Sequence, residues 1–305
     1  MAMIETIKFS TFNWIHILNP SEENFDYLIE NYNFHPLDIE DCRSKVQRPK
    51  IDIYDDYYFL ILHFPSFDKA NRFLDTKEVK IFWGKDFIIT IGNSHWIVKK
   101  FFNTVKENLE AFKQELSAET SDALLYEIME RLMKDTLSLV GRIGSEVDQI
   151  NYGLFNDKSQ KIIEKISVTR KNVILLDTSF RPQVRVFHKF ESGEIKGFAE
   201  EMEEYWGNIL DYYQKLWDMI EDYKELIEGL SKTYDSLQTN KINEIIKMLT
   251  LISTVMLPMT FIASVYGMNV GLPFQNQPAA FVIVTAIMLG VLILFLWFFI
   301  RKKWL

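Results

Sequence analysis

Oxygen-bearing and apolar side chains alternate along one stripe of the C-terminal region, which could line a path for ions. Steps of three and four residues, the spacing of one helix face, connect most members of this stripe. They are Asn243, Ile246, Thr250, Ser253, Leu257, Thr260 and Ser264, and Leu249 is counted with them. Such a stripe suits either close packing of membrane helices or the wall of a water-filled passage. One helix cannot enclose a passage, so the second interpretation requires a ring of copies.

Two long uncharged segments lie in the same region. The first contains most of the stripe, and the second follows it. No residue from Leu249 to Ile300 carries a formal charge, and residues 248–266 and 279–300 are strongly apolar. About 20 helical residues, rising about 1.5 Å each, cross the ~30 Å hydrocarbon layer of a bilayer. Residues 267–278, rich in Gly, Pro, Asn and Gln, separate the two segments. The sequence therefore predicts two membrane helices joined by a loop outside the hydrocarbon.

The distribution of basic residues predicts the orientation of this hairpin. Lysines precede the first span, Arg301 and Lys302 follow the second, and the loop has neither Lys nor Arg. By the positive-inside rule both termini are expected in the cytosol, with residues 301–305 as a basic cytosolic tail. We therefore expect a multi-pass protein of the plasma or inner membrane, with the lipid bilayer as a partner.

The region before the spans has three predicted parts. Residues 1–95 alternate β-branched and aromatic residues with turn signals, which predicts an α/β domain with strands near residues 12–18, 51–64 and 78–92. Residues 96–198 show helical periodicity and many charges, which predicts long, solvent-exposed helices. Residues 199–247 carry an apolar heptad seam and are expected to form a stalk helix that continues into the first span.

The composition excludes several function classes. The chain has 34 Lys+Arg against 42 Asp+Glu, a net charge of −8, so wrapping of a nucleic acid is not expected. A single cysteine and five scattered histidines offer no zinc-binding pattern. No nucleophile or phosphate-loop motif accompanies the acidic residues between positions 38 and 56, which are interpreted as surface and turn residues, and the protein is not expected to be an enzyme. These residues are Asp38, Glu40, Asp41, Asp55 and Asp56.

The segment Tyr266–Asn269 reads YGMN and directly follows the first span. This position and its context resemble the CorA family of divalent cation channels, which is defined by a Gly-Met-Asn motif. The stretches HPLDIEDCRSKVQRPKIDIYDDYYF and EVKIFWGKDFIIT, and the KKWL ending, are also similar to the family. The resemblance implies a CorA-like funnel, namely an α+β cytosolic domain with a long stalk helix and an α-helical membrane hairpin, assembled as a homopentamer.

The resemblance also implies roles for individual residues. Gly267, Met268 and Asn269 would form the ion selectivity site, with Asn269 contributing a ring of amide oxygens to hydrated Mg²⁺ and Gly267 taking up a left-handed turn conformation. From the residues alone, Asn269 would instead be a helix C-cap. The stripe would line the pore. Cytosolic Mg²⁺ would also regulate the channel through acidic residues, for which the candidates are Asp75, Asp211, Asp218, Asp222 and Glu225.

Two other functions remain open for this sequence. The same scaffold could transport Zn²⁺, Co²⁺ or Ni²⁺, because the loop after the motif, VGLPFQNQP, lacks the acidic residues found in many family members. The stripe contains no His or Cys, which favours Mg²⁺ over softer ions. A membrane-tethered coiled-coil scaffold without conduction would also explain the seam and the hairpin. Passive influx of divalent cations, with no organic cofactor, is the expectation that the resemblance supports.

Overall fold

A single mixed β-sheet is formed by the N-terminal part of the chain. The computed structural model describes residues 3–44, 46–68, 73–92, 95–116, 119–156, 161–199, 202–271 and 279–302. Within them the strands are β1 (Met3–Lys8), β2 (Asn13–Leu18), β3 (Lys50–Ile53), β4 (Tyr57–Asp68), β5 (Phe73–Gly84) and β6 (Phe87–Ile91). Strands β2 to β6 lie where the alternating pattern predicts them. Strand β1 was not predicted.

The strand order is β1-β2-β6-β5-β4-β3. Only the β2–β6 pair is parallel, and the long β4–β5 pair runs in register from Tyr57 opposite Gly84 to Asp68 opposite Phe73. A parallel pair needs a crossover connection, and the chain between β2 and β6 contains two helices and three strands. The helices are α1 (Glu22–Tyr32) and α2 (Pro36–Arg43).

Alternate residues of each strand face opposite layers of helices. Ile15 and Ile17 belong to a core that includes Phe25 and Leu28 of α1. Trp14, the residue before Ile15, faces the other side of the sheet and packs its ring against Phe102 at a centroid distance of 4.9 Å. Phe102 belongs to α3 (Trp96–Glu107). The period of two along β2 therefore places the sheet between α1–α2 and α3.

The helices within residues 96–198 are less exposed to solvent than the sequence predicts. This region contains α4 (Leu109–Glu115), α5 (Ser121–Asn156), α6 (Lys161–Phe180) and α7 (Val184–Glu191), after a 3₁₀ turn at Arg181–Gln183. These helices were predicted to be solvent-exposed, but α5 buries a continuous stripe that includes Leu124, Ile128 and Leu132. The prediction was wrong because charged residues on the outer face hide the apolar stripe, which packs against β4, β5 and β6.

Two further helices complete the chain. They are α8 (Glu203–Tyr266), which contains Pro258, and α9 (Ala280–Arg301). By length and composition both contain a segment able to cross a membrane. The chain divides into two units, Met1–Ser231 and Lys232–Leu305, and α8 contributes residues to both. The boundaries predicted between the stalk, the spans and the tail remain predictions.

Within the first unit, the predicted heptad seam of α8 is buried over its first half. Trp206, Ile209, Tyr213, Leu216 and Ile220 are 3% exposed or less. The Tyr213 hydroxyl donates a hydrogen bond of 2.9 Å to the Phe180 carbonyl, at the end of α6. The seam thus packs on helices of the same chain before its residues become exposed near Leu237.

An ion-pair network joins α6 to α8 and yields a stability prediction. The Asp177 carboxylate contacts Arg181 at 2.9 Å and Lys224 of α8 at 3.1 Å. Burial disfavours the charged carboxylate, but the hydrogen bonds from Arg181 and Lys224 outweigh it, so the pKa of Asp177 is lowered. We expect Asp177→Asn to lower the free energy of unfolding by about 1–2 kcal/mol at pH 7. Thermal unfolding of the full chain in detergent measures this loss.

The pH dependence of this effect has a definite sign. Because the folded state depresses the pKa of Asp177, its stabilisation is complete above the unfolded value of about 3.9 and disappears as the pH falls through the folded value. The difference between wild type and Asp177→Asn should therefore shrink in acid. Glu228→Gln, which changes an exposed carboxylate on α8, should leave the midpoint unchanged. A difference that persists unchanged in acid would contradict the ion-pair explanation.

Candidate functional site

All eight residues of the predicted stripe lie on α8 and are solvent-exposed in the single chain. Ile246, Leu249 and Leu257 are 55%, 59% and 71% exposed. Other faces of the same segment are exposed as well, as Ile252 and Phe261 show. Apolar side chains this exposed around a whole helix require lipid or further protein to cover them.

The threonines of this segment donate their hydroxyl protons to their own helix. Thr250 donates to the Ile246 carbonyl at 2.8 Å, and Thr260 donates to the Met256 carbonyl at 2.9 Å. A hydroxyl has one proton and two lone pairs. Because the proton is already committed, these oxygens face their surroundings as acceptors, which suits contact with the water of a hydrated cation.

Pro258 lies inside α8, four residues after Thr254. Since proline has no N–H, the Thr254 carbonyl lacks its usual helical donor. The Thr254 hydroxyl donates to the preceding carbonyl of Thr250 at 2.7 Å, so it does not fill that role for its own carbonyl. The helix nevertheless continues to Tyr266, as prolines in membrane helices allow.

The Gly-Met-Asn motif directly follows the end of α8. The Gly267 N–H donates to the Ala263 carbonyl at 2.9 Å, and the Met268 N–H donates to the Val265 carbonyl at 3.2 Å. Asn269 lies three residues beyond the helix and is exposed. It is therefore not the helix C-cap, and the capping alternative is wrong.

Gly267 does not have the left-handed backbone that was expected of it. Among the described residues, the glycines with positive φ are Gly92, Gly193 and Gly197. A β-carbon on Gly267 would instead lie 3.2 Å from the Ala263 carbonyl oxygen, closer than ordinary contacts allow. Glycine is therefore suited to this position because the turn presses against the Ala263 carbonyl of the last helical turn. The remainder of the predicted loop, residues 272–278, lies outside the described residues.

The structure brings only two of the predicted regulatory residues to a common cavity. Asp222 and Glu225 of α8 line it together with Asp148 and Asn151 of α5. No lysine or arginine occurs among the described residues that line it. Sequence reasoning missed Asp148 and Asn151, because their distance along the chain from α8 gives no signal of contact.

The other regulatory candidates lie elsewhere. Asp211 and Asp218 are exposed on α8. Asp75 of β5 is exposed, pairs with Lys77 at 2.6 Å and accepts the Thr76 N–H at 2.9 Å. It borders a different cavity, together with His63 and other side chains of β4 and β5.

A group of three carboxylates in the first unit surrounds a lysine. Oxygens of Asp38, Asp41 and Asp52 lie within 4.8 Å of one another. The Lys50 ammonium contacts Asp52, lies 2.6 Å from Asp41 and 4.0 Å from Asp38. Burial disfavours the charged form of Lys50, but its hydrogen bonds to Asp41 and Asp52 prevail and raise its pKa. The chain therefore supplies its own cation to this group.

Asp38 is buried, although the sequence analysis interpreted it as a surface residue. It is 1% exposed and accepts hydrogen bonds from the Tyr57 hydroxyl at 2.9 Å and the Tyr54 hydroxyl at 3.2 Å. Burial raises the pKa of Asp38, and the two hydroxyl donors only partly oppose that effect. The residue is a structural part of the domain, linking α2 to the β3–β4 connection.

The mixed sheet, the long α8 with its exposed polar–apolar stripe, and the apolar α9 define a class of proteins with a large α+β domain followed by two candidate membrane spans. The sequence model of the CorA-like Mg²⁺ transporter protein family matches residues 9–302. The chain belongs to this family. The resemblance found in the sequence is thereby confirmed over nearly the whole chain.

Individual relatives agree with this assignment. The cobalt/magnesium transport protein CorA of Thermotoga maritima is 26% identical over 302 residues, covering 97% of this chain and 84% of that protein. YfjQ of Bacillus subtilis is 28% identical over 292 residues, covering 95% of this chain and 89% of that protein. The complete structure of the CorA magnesium transporter from Methanocaldococcus jannaschii superimposes with a TM-score of 0.83 at 22% identity, covering 98% of this chain and 94% of that one. The predicted fold class is confirmed, whereas the pentamer remains a prediction.

Proposed function

We propose that the protein is a channel for divalent cations that carries Mg²⁺ passively into the cytosol, from a site at Asn269. The observation that carries this proposal is the position of Asn269, exposed directly beyond the end of a helix that contains a candidate span. A magnesium transporter shares the fold, and the Thermotoga maritima relative is named for both cobalt and magnesium. Both termini lie in the cytosol in this proposal, which rests on the flanking basic residues.

The chemistry of Asn269 fits hydrated Mg²⁺. This ion prefers oxygen ligands in octahedral geometry and gives up its water reluctantly. An amide oxygen can accept a hydrogen bond from that water without stripping it from the ion. One amide cannot surround an ion, so several copies must contribute one each, and the number five comes from the family resemblance alone.

The stripe on α8 offers hydrated ions a sequence of polar and apolar rings in such an assembly. The hydroxyl oxygens of Thr250 and Thr260 present lone pairs, as described above. Ile246 and Leu257 would form apolar girdles that close the path by losing their water. Neither candidate span contains a carboxylate that could couple transport to protons. The membrane potential, worth about 2.3 kcal/mol per charge per 100 mV, is then sufficient to drive influx.

The deciding experiment measures ion uptake by liposomes that contain the purified full chain. We expect Mg²⁺ to enter under an inward-driving potential, and Zn²⁺, Co²⁺ and Ni²⁺ should be compared under the same potential. Uptake of Zn²⁺ without Mg²⁺ would support a channel with this fold but would show that the transported ion is Zn²⁺ and not Mg²⁺. If no ion enters even after internal Mg²⁺ is chelated, a non-conducting scaffold becomes the better interpretation.

The fit of Gly267 against Ala263 gives a prediction with a matched control. Gly267→Ala should slow Mg²⁺ uptake by about tenfold, because the added β-carbon forces the turn that carries Asn269 away from the helix. Gly271→Ala should leave the rate unchanged, since no atom of the described residues lies within 4 Å of the added carbon. Equal effects of the two substitutions in the liposome assay would show that the close contact is unimportant.

Regulation by cytosolic Mg²⁺ is assigned to the cavity between α5 and α8. Carboxylate and amide oxygens are the ligands that Mg²⁺ prefers, and Asp148, Asn151, Asp222 and Glu225 supply them. Combining Asp222→Asn with Glu225→Gln should raise the internal Mg²⁺ concentration needed for half-inhibition by about fivefold. Glu228→Gln, at an exposed position of the same helix, should not shift it. An unchanged half-inhibition in the double variant would place regulation elsewhere.

A further inference from the structure

The segment that leads into α8 is held down at its middle by the rest of the first unit. Residues 192–199, here called the strap, connect α7 towards the start of α8. The strap turns at Gly193 and Gly197, with φ of 72° and 70°. Ile195, between them, is 2% exposed, and its N–H donates to the Lys189 carbonyl at 3.1 Å. The strap is thus a bent segment that is anchored by the buried side chain of Ile195. Its two turns have backbone angles that favour glycine.

A buried carboxylate fastens the second half of the strap. The Phe198 N–H donates to Asp122 Oδ1 at 2.8 Å, and Asp122, in the first turn of α5, is 1% exposed. A β-carbon on Gly197 would collide with Asp122 Oδ1 and would also lie 3.3 Å from the Trp83 ring. The strap therefore fits directly onto Asp122 and Trp83, without room for a side chain at Gly197.

Trp83 is shared between the strap and the start of α8. Its ring packs edge-on against Phe198 at 5.6 Å and against Trp206 at 5.7 Å. The Trp206 N–H donates to the Met202 carbonyl at 3.0 Å, so this residue belongs to the first hydrogen-bonded turn of α8. Loss of the strap from Trp83 would remove part of the surface on which that turn rests.

Opening this junction costs less free energy than opening an apolar core of the same size. Within the described part of the protein, Trp83 Nε1 and Trp206 Nε1 are buried without a hydrogen-bond partner. Leaving such groups unpaired costs free energy that is recovered when water reaches them. Opening the strap would expose these polar atoms to water, and that gain offsets part of the contacts that are lost.

We propose that the strap is a conformational latch, which releases the first turns of α8 when it detaches from Asp122 and Trp83. Because α8 also carries the stripe assigned above to the pore, release of the latch favours conduction. This second part rests on the proposed function. The first part concerns only residues of the first unit and stands independently.

Hydrogen exchange on the full chain tests the latch directly. Asp122→Ala removes the acceptor of the Phe198 N–H, and Gly197→Ala displaces the strap without altering α5. Both should speed exchange at Phe198 and at the amides of residues 206–210 by about tenfold or more. The controls are Asp26→Ala, an exposed aspartate on α1, and Gly207→Ala, whose added carbon meets no atom within 4 Å in the part of the chain that the structure describes. Folded variants whose exchange matches the controls would overturn the latch.

Mg²⁺ uptake by liposomes containing the same variants tests the link to conduction. We expect Asp122→Ala and Gly197→Ala to conduct about fivefold faster than wild type at a given internal Mg²⁺ concentration. Faster exchange with unchanged or slower uptake would overturn the regulatory part. If wild-type protein carries no Mg²⁺ under any condition, the proposed function fails, and the exchange data still decide whether the strap opens.

Discussion

Asn269→Ala is expected to reduce Mg²⁺ uptake by more than tenfold while the protein still folds and inserts. Each copy in a ring would lose one amide acceptor, worth about 0.5–1.5 kcal/mol, and the losses of several copies combine at one ion. Asn269 is exposed beyond the end of α8, so its truncation removes no described packing contact. Dye-reported uptake by liposomes at equal protein density measures the effect.

Val270→Ala is the matched control for this substitution. Val270 is the next residue and is 56% exposed, so its truncation to alanine perturbs the same stretch of chain without touching an amide. Near-normal uptake is expected from it. Equal loss in both variants would indicate a general requirement for the turn, and normal uptake by Asn269→Ala would remove the selectivity site from Asn269.

Leu257→Asn is expected to have the second large effect, in the opposite direction. Leu257 is the most exposed of the three apolar residues of the stripe. If its copies form a girdle that closes by losing water, an amide there would keep the girdle wet and let ions leak through the closed state. Uptake at high internal Mg²⁺, where wild type is closed, should rise by about tenfold.

The conservative variant separates a gate from simple damage to the helix. Leu257→Met keeps the side chain apolar and similar in volume, so the channel should still close at high internal Mg²⁺. A leak in both variants would mean that packing at this position, not its polarity, controls the channel. If the Leu257→Asn variant does not leak ions, Leu257 does not form the girdle, and Ile246 becomes the candidate.

Periodicity was sufficient to predict the elements but not the contacts between them. The alternation in β2 to β6 and the helical pattern from residue 199 into the first span are properties of consecutive residues, and the structure has strands at the former and the single helix α8, Glu203–Tyr266, at the latter. The exposed surface of α5 misled the prediction for the helical region, since its many charges dominate the local pattern. Burial of one helix face depends on what packs against it, which no local pattern records.

Residues far apart in the sequence account for what was missed at the candidate sites. Asp38 was assigned to the surface because nothing in the sequence shows that the hydroxyls of Tyr54 and Tyr57 meet it in the fold. The sequence analysis did not single out Asp122, because its contact with Phe198 spans 76 positions. The position of Asn269 beyond the first span, in contrast, was predicted from a three-residue motif, because that position depends on the end of one helix; its role at the ion site stays a prediction.

The lysine among Asp38, Asp41 and Asp52 has a consequence for a protein that is proposed to carry Mg²⁺. Three carboxylates this close would otherwise bind divalent ions, and the domain would tighten or loosen with the cell's magnesium supply. A tethered ammonium cannot be diluted away, so it offsets one negative charge of the cluster at every ion concentration. Lys50 therefore competes for this cluster with the ion that the protein is proposed to transport, and the stability of this part of the domain depends less on that ion than it would without the lysine.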